Sequence, residues 1–446
     1  MTSRIIELND RAIRVSDESG IILQSPGFAL VDDSIVLLGE EAEKQARLKP
    51  TSSYNKFWQQ LSLDPLKDNS KFRHYGDIAH AHLLHLAEIA GLENEVIFAV
   101  PGSFNRQQLS ILLGLAQHTP IKPVGVVDTA VAAAVAMAEA DTVVYADMHL
   151  HQVVLTRLRH REGSYHSDSV IQIPGVGSQN FMDLMMQLAT GLFIQQCRFN
   201  PQYDAASEQQ LYNSLPSWLA QDEKEGNLIL ELKSGANTHT AKMPRESLIN
   251  SLSSHYRKIS EPVLALAENQ PLQLLLSQDL AAMPGLVGAL NRLADLQVVA
   301  ADEPFQAVLR HQALIRSGDD GLHLVTTLPA GRSETQGDQK KTQERPTHAL
   351  FKHRAYPVKD LEIVNGDAVN GAAVTGLPRP LKLSIEGLPT ALGRFDLRRD
   401  GLYIESAADF RLNSQECRGS HKLALGDSIS FPGSNETISV IRVNHG

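Results

Sequence analysis

The chain of 446 residues has two cysteines and two tryptophans, and aromatic residues make up 5% of it. With Cys197 and Cys417 its only thiols, it cannot be a disulfide-stapled scaffold, nor can it build a zinc cage without histidines. It also has no basic excess: Lys+Arg number 41 against Asp+Glu 51, a formal charge of −10. A dedicated nucleic-acid binder needs a basic face to displace counterions, so that class is set aside. There is no long hydrophobic run. The longest, 130–138, falls well short of the ~20 residues a membrane helix needs. The opening Met1-Thr2-Ser3-Arg4-Ile5-Ile6-Glu7 has no apolar stretch of the secretory kind. No Gly-x-Ser-x-Gly elbow or P-loop is present, which leaves nucleophilic and P-loop chemistry without an anchor. These absences together read as a reduced, cytoplasmic protein with no membrane insertion.

What is present is an ordinary globular composition, 42% hydrophobic and 21% charged. At ~100–200 residues per domain the length suggests two to four domains. The charge is unevenly spread. Residues 350–446 hold 12 Lys+Arg and 11 Asp+Glu, whereas residues 1–349 hold 29 against 40. The clearest boundary lies at 330–346, a polar stretch whose only apolar side chain is Ala330. Such a stretch buries too little surface to offset ordering entropy and reads as a linker. The division expected is a body over 1–328, a linker over 329–348 and a β-rich module over 349–446.

Within the body, short alternating runs at 4–8, 12–16, 21–23 and 34–38 suggest a strand meander. Helices are expected over 40–48, 77–90 (closed by Gly91), 105–117 and 130–138. The run Val96-Ile97-Phe98-Ala99-Val100 suits a strand buried on both faces. Strands at 124–127, 143–146 and 153–157 follow. A second cycle has helices at 180–197, 205–215, 245–267 and 284–294, with strands at 227–232, 272–276 and 297–300. Hairpin strands followed by strands alternating with helices, twice over, imply a large α/β protein of two related lobes.

The order of several motifs resembles the Hsp70/actin/hexokinase superfamily, nearest the Hsp70 nucleotide-binding domain. The stretch Val100-Pro101-Gly102-Ser103-Phe104-Asn105, with Gln108, precedes a helix. Val126-Val127-Asp128 then leads to the alanine-rich 130–138. Upstream, Ser25-Pro26, Gly39, Ala42, Pro50 and Asn55-Lys56 follow the same order. Gly175-Val176-Gly177 resembles the opening of the second lobe, and Glu303-Pro304-Phe305 the entry to the last lobe helix. The resemblance covers roughly residues 1–315. It implies a two-lobed body with ribonuclease H-like subdomains: lobe I about 1–172, lobe II about 173–300 and a return helix at 301–315. It also implies positions for a nucleotide and its magnesium at Glu7, Asp128, Asp147, Gly175 and Gly177.

The departures from that pattern carry more weight. Family members cradle phosphates on glycine-rich turns, since only glycine lets backbone N–H groups approach an anion so closely. Here the first turn reads Glu7-Leu8-Asn9-Asp10-Arg11, the second Asp147-Met148-His149-Leu150-His151-Gln152, and the adenosine turn Ser277-Gln278-Asp279. The expectation is therefore a decayed nucleotide site with no catalytic residues and no cofactor, on a scaffold or adaptor that binds protein partners. Self-association is left open. The alternative is an atypical ATP-binding, chaperone-like ATPase using Mg·ATP through Glu7, Asp128 and Asp147.

The module carries strand candidates at 361–364, 381–385, 402–406, 428–431 and 437–443, spaced as in a sandwich or barrel. Gly401 to Ile404, Phe410 to Asn413 and Leu423 to Ile429 resemble the end of a forkhead-associated domain. Gly393-Arg394 would be half of that family's phosphothreonine reader, and no Ser-x-x-His follows at the expected distance. A generic protein-docking module is the reading kept. Among 17 histidines, His82 with His85 and His149 with His151 are the pairs expected to share a face. Neither has Cys or carboxylate neighbours at metal-site spacing, so surface or hairpin positions are expected. Lys340-Lys341 reads as linker solvation. Phe57-Trp58 is expected to pack in the core.

Overall fold

The computed structural model describes residues 4–441, except 33–34, 67–70, 93–94, 222–225, 269–270, 318–320, 331–346, 353, 359–360, 366–380, 386–390, 399–400, 414, 424, 433 and 435. The chain forms two compact units, Met1–Arg332 and Ser333–Gly446. Most of the expected linker, with Lys340-Lys341, lies outside the described residues.

The first unit is α/β and holds two six-stranded sheets of the same design. In one, Arg4–Glu7 is central. It pairs antiparallel with Ile13–Asp17, which pairs with Gly20–Ser25, and on its other edge it runs parallel to Glu95–Val100, Lys122–Asp128 and then Leu324–Val325. In the other, Thr142–Met148 is central. A meander of Gln152–Arg161 and Ser164–Pro174 lies on one side, extended by Thr327–Pro329, and parallel Gln273–Ser277 and Asp295–Val299 lie on the other. Parallel strands are covered on both faces, which is why Glu95–Val100 and Gln273–Ser277 carry the apolar runs 96–100 and 274–276.

Each sheet has its own core. Ile6, Ile13, Phe98 and Leu83 pack on one side, and Leu155, Leu274, Phe193 and Leu252 on the other. A third core lies on the remaining faces of both sheets. There the helix Thr129–Met137, small-sided and buried nearly all round, packs against Glu303–Arg310. Phe57 and Trp58 are buried, as expected. The helix Tyr75–Ala90 ends on Gly91 at φ 60°, the left-handed cap that its glycine predicted. Arg245–Ala267 is helical over the whole expected span.

Several elements differ from the sequence reading. The helix expected at 40–48 is only Glu40–Glu43, followed by tight turns that let Lys49 reach Asp32 at 2.6 Å. The one at 284–294 is Leu286–Leu290, entered through Gly285 at φ 78°. Strands Ser164–Pro174 and Asn237–Pro244 were not expected. Both are hairpin return strands with one wet face, so they carry alternating polar residues and no apolar run.

The second unit is β-rich. Among the described residues its nine strands form one sheet around Phe351, Phe395, Phe410, Ile429 and Val440. The long strand Gly401–Leu412 bends at a bulge between Ser406 and Phe410, pairing with Ala391–Arg398 and Gln415–Leu423 and, past the bend, with Ser428–Ser430. Leu361–Asn365 and Leu381–Ile385 run parallel. Strands His348–Phe351, Arg354–Pro357, Ala391–Arg398 and Gln415–Leu423 are additional to those expected from the sequence.

Candidate functional site

In open α/β sheets the crevice beyond the carboxyl ends of the strands, where strand order reverses, is the usual ligand site. Each six-stranded sheet reverses at its central strand, and the two central strands end facing each other. Glu7 closes one, Asp147 lies next to last in the other, and both are buried.

The turns that follow bind to each other. Asn9 Oδ1 accepts the Arg11 N–H at 3.0 Å, a local turn that frees its amide to cross the crevice. There Asn9 Nδ2 donates to Asp147 Oδ2 at 2.9 Å and to the Met148 carbonyl at 3.1 Å. Asp10 Oδ1 accepts the Leu150 N–H at 2.9 Å and lies 3.2 Å from His149 Nδ1.

The second turn is held from its other side by the start of the helix Ser178–Cys197. Ser178 and Gln179 donate their N–H groups to the carbonyls of His149 and Leu150, both at 2.9 Å, and Gly175 donates to His151 at 3.0 Å. The first N–H groups of a helix ordinarily make an anion site. Here the turn's own carbonyls take two of them. Gly177 is required by that packing, since a Cβ there would lie 2.3–2.4 Å from backbone atoms of Leu150, His151 and Gln152.

Charge in the crevice is matched internally. Arg14 stands opposite Glu7 in the antiparallel register, donates to it at 2.8 Å and also pairs with Asp279. Arg11 reaches Asp279 at 3.3 Å. His149 Nε2 lies 3.7 Å from Asp147 Oδ2, so its ring sits between two aspartates. Burial pushes the Glu7 carboxyl up to about 7, against the pull of Arg14. Burial also raises Asp147. For His149 burial opposes the charge, but the hydrogen bond to Asp10 and the surrounding carboxylates outweigh it, and its pKa is raised.

Asp128 is elsewhere. It caps the helix Thr129–Met137 by accepting the Ala130 N–H at 2.8 Å, and burial pushes it up to about 6. Among the described residues no hydrogen bond or ion pair joins it to Glu7 or Asp147. Of the five positions singled out from sequence, then, Glu7 is paired with Arg14 and Asp147 is held by Asn9, Gly175 and Gly177 shape the second turn, and Asp128 stands apart. Arg14, Asn9, His149 and Asp279 were not assigned this role. Arg14, a charge inside the apolar run Ile13-Arg14-Val15, was the signal available.

The histidine expectations need correcting. His149 and His151 share no strand face, because both lie in the turn after Thr142–Met148. His149 faces Asp10, and His151 Nε2 lies 3.1 Å from Asn55. His82 is fully buried rather than on the surface. Trp58 Nε1 donates to its Nδ1 at 3.1 Å, which leaves Nε2 to donate to Ser25 Oγ at 2.8 Å. Burial holds it neutral, its pKa lowered to about 3. Among the described residues no three His, Cys, Asp or Glu side chains are grouped to hold a metal ion.

No protein-family model matches the chain, and no curated protein matches it.

Further ties join the same two halves away from the central strands. Tyr212 donates to Glu43 Oε1 at 2.8 Å, Gln209 Oε1 accepts the Arg47 N–H at 2.7 Å, and Arg47 pairs with Asp183. In the β module, Arg394 spends Nε and Nη2 on Glu405 Oε2, at 2.9 and 2.7 Å. No helix of the described residues is long and apolar enough to cross a membrane.

Proposed function

We propose that the first unit is an Hsp70/actin-like, two-lobed body whose nucleotide cleft is closed by its own side chains, and that the protein works as a non-catalytic scaffold or adaptor for protein partners. The twofold use of one sheet design supports the body. In each half a central strand is flanked by an antiparallel meander on one edge and parallel strands on the other.

The observation that carries the functional reading is the seating of Asp10. A phosphate-binding turn would offer the Leu150 N–H to an anion, whereas here Asp10 accepts it. Asn9 spans the crevice to Asp147, and Arg14 stands beside Glu7 and His149 beside Asp147, carboxylates that the family resemblance would give to magnesium. A magnesium–triphosphate would have to displace an aspartate, lose two helix N–H groups and compete with an arginine and an imidazole. The residues present do not fit that group.

On this reading the lobes are held as one piece without nucleotide, and partners meet a body of fixed shape. The test is turnover at saturating Mg·ATP. The expected result is none in the wild type. Turnover that is lost in Asp147→Ala would establish the ATPase alternative instead. Partner binding, whatever the partner, is expected to be indifferent to ATP.

A further inference from the structure

Beside the tied turns, and outside the Glu7–Asp147 cluster, lies a cavity of about 410 Å³. One wall comes from Arg11 and Glu43, and the other from the helices Ser178–Cys197 and Ala205–Leu219 and from Met283. Its floor is apolar and adaptable: Met182, Met185 and Met283 with Phe181 and Leu150. Thioethers on unbranched chains fill irregular space and accept varied apolar shapes.

Two charged groups line this cavity, each held by one partner and with polar atoms that no protein group among the described residues satisfies. Glu43 Oε1 accepts from Tyr212, whose hydroxyl is fixed in turn by Gln179 Nε2 at 2.7 Å. Among the described residues nothing donates to Glu43 Oε2. Arg11 reaches Asp279 through Nη1 at 3.3 Å, and its Nε is buried with no partner. Tyr212 is itself braced by Arg47, stacked 5.1 Å over its ring. The carboxylate's orientation is thus set before any ligand arrives, the arrangement expected of a binding site.

A carboxylate and a guanidinium at the rim of one apolar cavity match a molecule with an ammonium, a carboxylate and an apolar body. We propose that this cavity binds a free apolar α-amino acid. The ammonium would be held by Glu43, the carboxylate by Arg11, and the side chain would lie on the methionines. Volume and lining fall in the range typical of small-molecule sites.

The test is calorimetric titration of the full chain with L-methionine, L-leucine and L-phenylalanine. Phenethylamine and hydrocinnamate serve as comparators, each lacking one of the two charged groups. The expected result is saturable one-to-one binding of at least one amino acid, weakened about tenfold or more in either comparator and in Glu43→Gln, roughly the loss of one charged contact. Ala282→Trp, at the exposed rim, should block binding while leaving the unfolding midpoint unchanged, which covers the case in which Glu43→Gln does not fold. The proposal is overturned if none of the three amino acids binds, if a comparator binds equally well, or if binding survives Ala282→Trp. None of these outcomes bears on Mg·ATP.

Discussion

Asp10 and Leu150 lie 140 positions apart, yet the Asp10 carboxylate accepts the Leu150 backbone N–H at 2.9 Å with both residues buried. This bond joins the turns that end the two central strands. Asp10→Ala leaves that N–H without a partner. The expected cost is about 1–3 kcal/mol of unfolding free energy, the penalty for an orphaned buried donor. Asp10→Asn keeps an acceptor oxygen and should cost less. Urea unfolding of the two variants measures the difference.

Arg14 serves two carboxylates at once, Glu7 and Asp279. Arg14→Met should cost about 3–5 kcal/mol, because it leaves buried carboxylates without their cation. Adding Glu7→Gln and Asp279→Asn to the same chain should recover most of that loss. Recovery would show that uncompensated charge, rather than lost packing, sets the cost.

The crevice should give stability an unusual pH dependence on its alkaline side. Glu7 is raised from 4.5 to about 7, and His149 is raised above 6.5. In the folded state both groups hold a proton more tightly than in the unfolded chain. Their contribution is therefore present at low pH and is lost as pH rises through the folded values. His82 has the opposite sign, because its folded value of about 3 lies below the ordinary 6.5. Its contribution is lost as pH falls below that ordinary value. The Glu7 contribution is therefore lost as pH rises from 4.5 to about 7, over a range in which that of His82 is still growing toward 6.5, so the two oppose each other, and the loss at His149 continues above 6.5. Melting curves from acid to alkaline pH check this: the wild type should lose stability relative to Glu7→Gln as pH rises from 4.5 to about 7, and the difference between the two should level off above that.

Two glycines only two residues apart should respond differently to alanine. Gly175, at φ 75°, has open space where a methyl would stand, so Gly175→Ala should cost about 1–2 kcal/mol for the left-handed backbone alone. At Gly177 the methyl would meet backbone atoms that cannot swing aside. Gly177→Ala should therefore exceed about 4 kcal/mol or prevent folding. Soluble yield and the unfolding midpoint of the pair decide this.

Much of the architecture was legible because it rests on burial. Residues 96–100 and 274–276 are apolar without interruption because parallel strands are covered on both faces, and 245–267 keeps an apolar stripe over its whole length. The return strands Ser164–Pro174 and Gln415–Leu423 were hidden because a half-wet strand needs no apolar run. At the site, the missing glycines and the acidic Asp10 were visible in the chain. Their consequence was not, because Asn9 meets Asp147 and Asp10 meets His149 across 138 and 139 positions, and no local pattern records such a meeting. His149 read as half of a histidine pair when its partners were two aspartates from distant segments.

The most direct measurement is calorimetric titration of the full chain with ATP in the presence of magnesium. A crevice filled by Asn9, Asp10, Arg14 and His149 predicts no saturable heat up to millimolar nucleotide. Micromolar binding of Mg·ATP would contradict it.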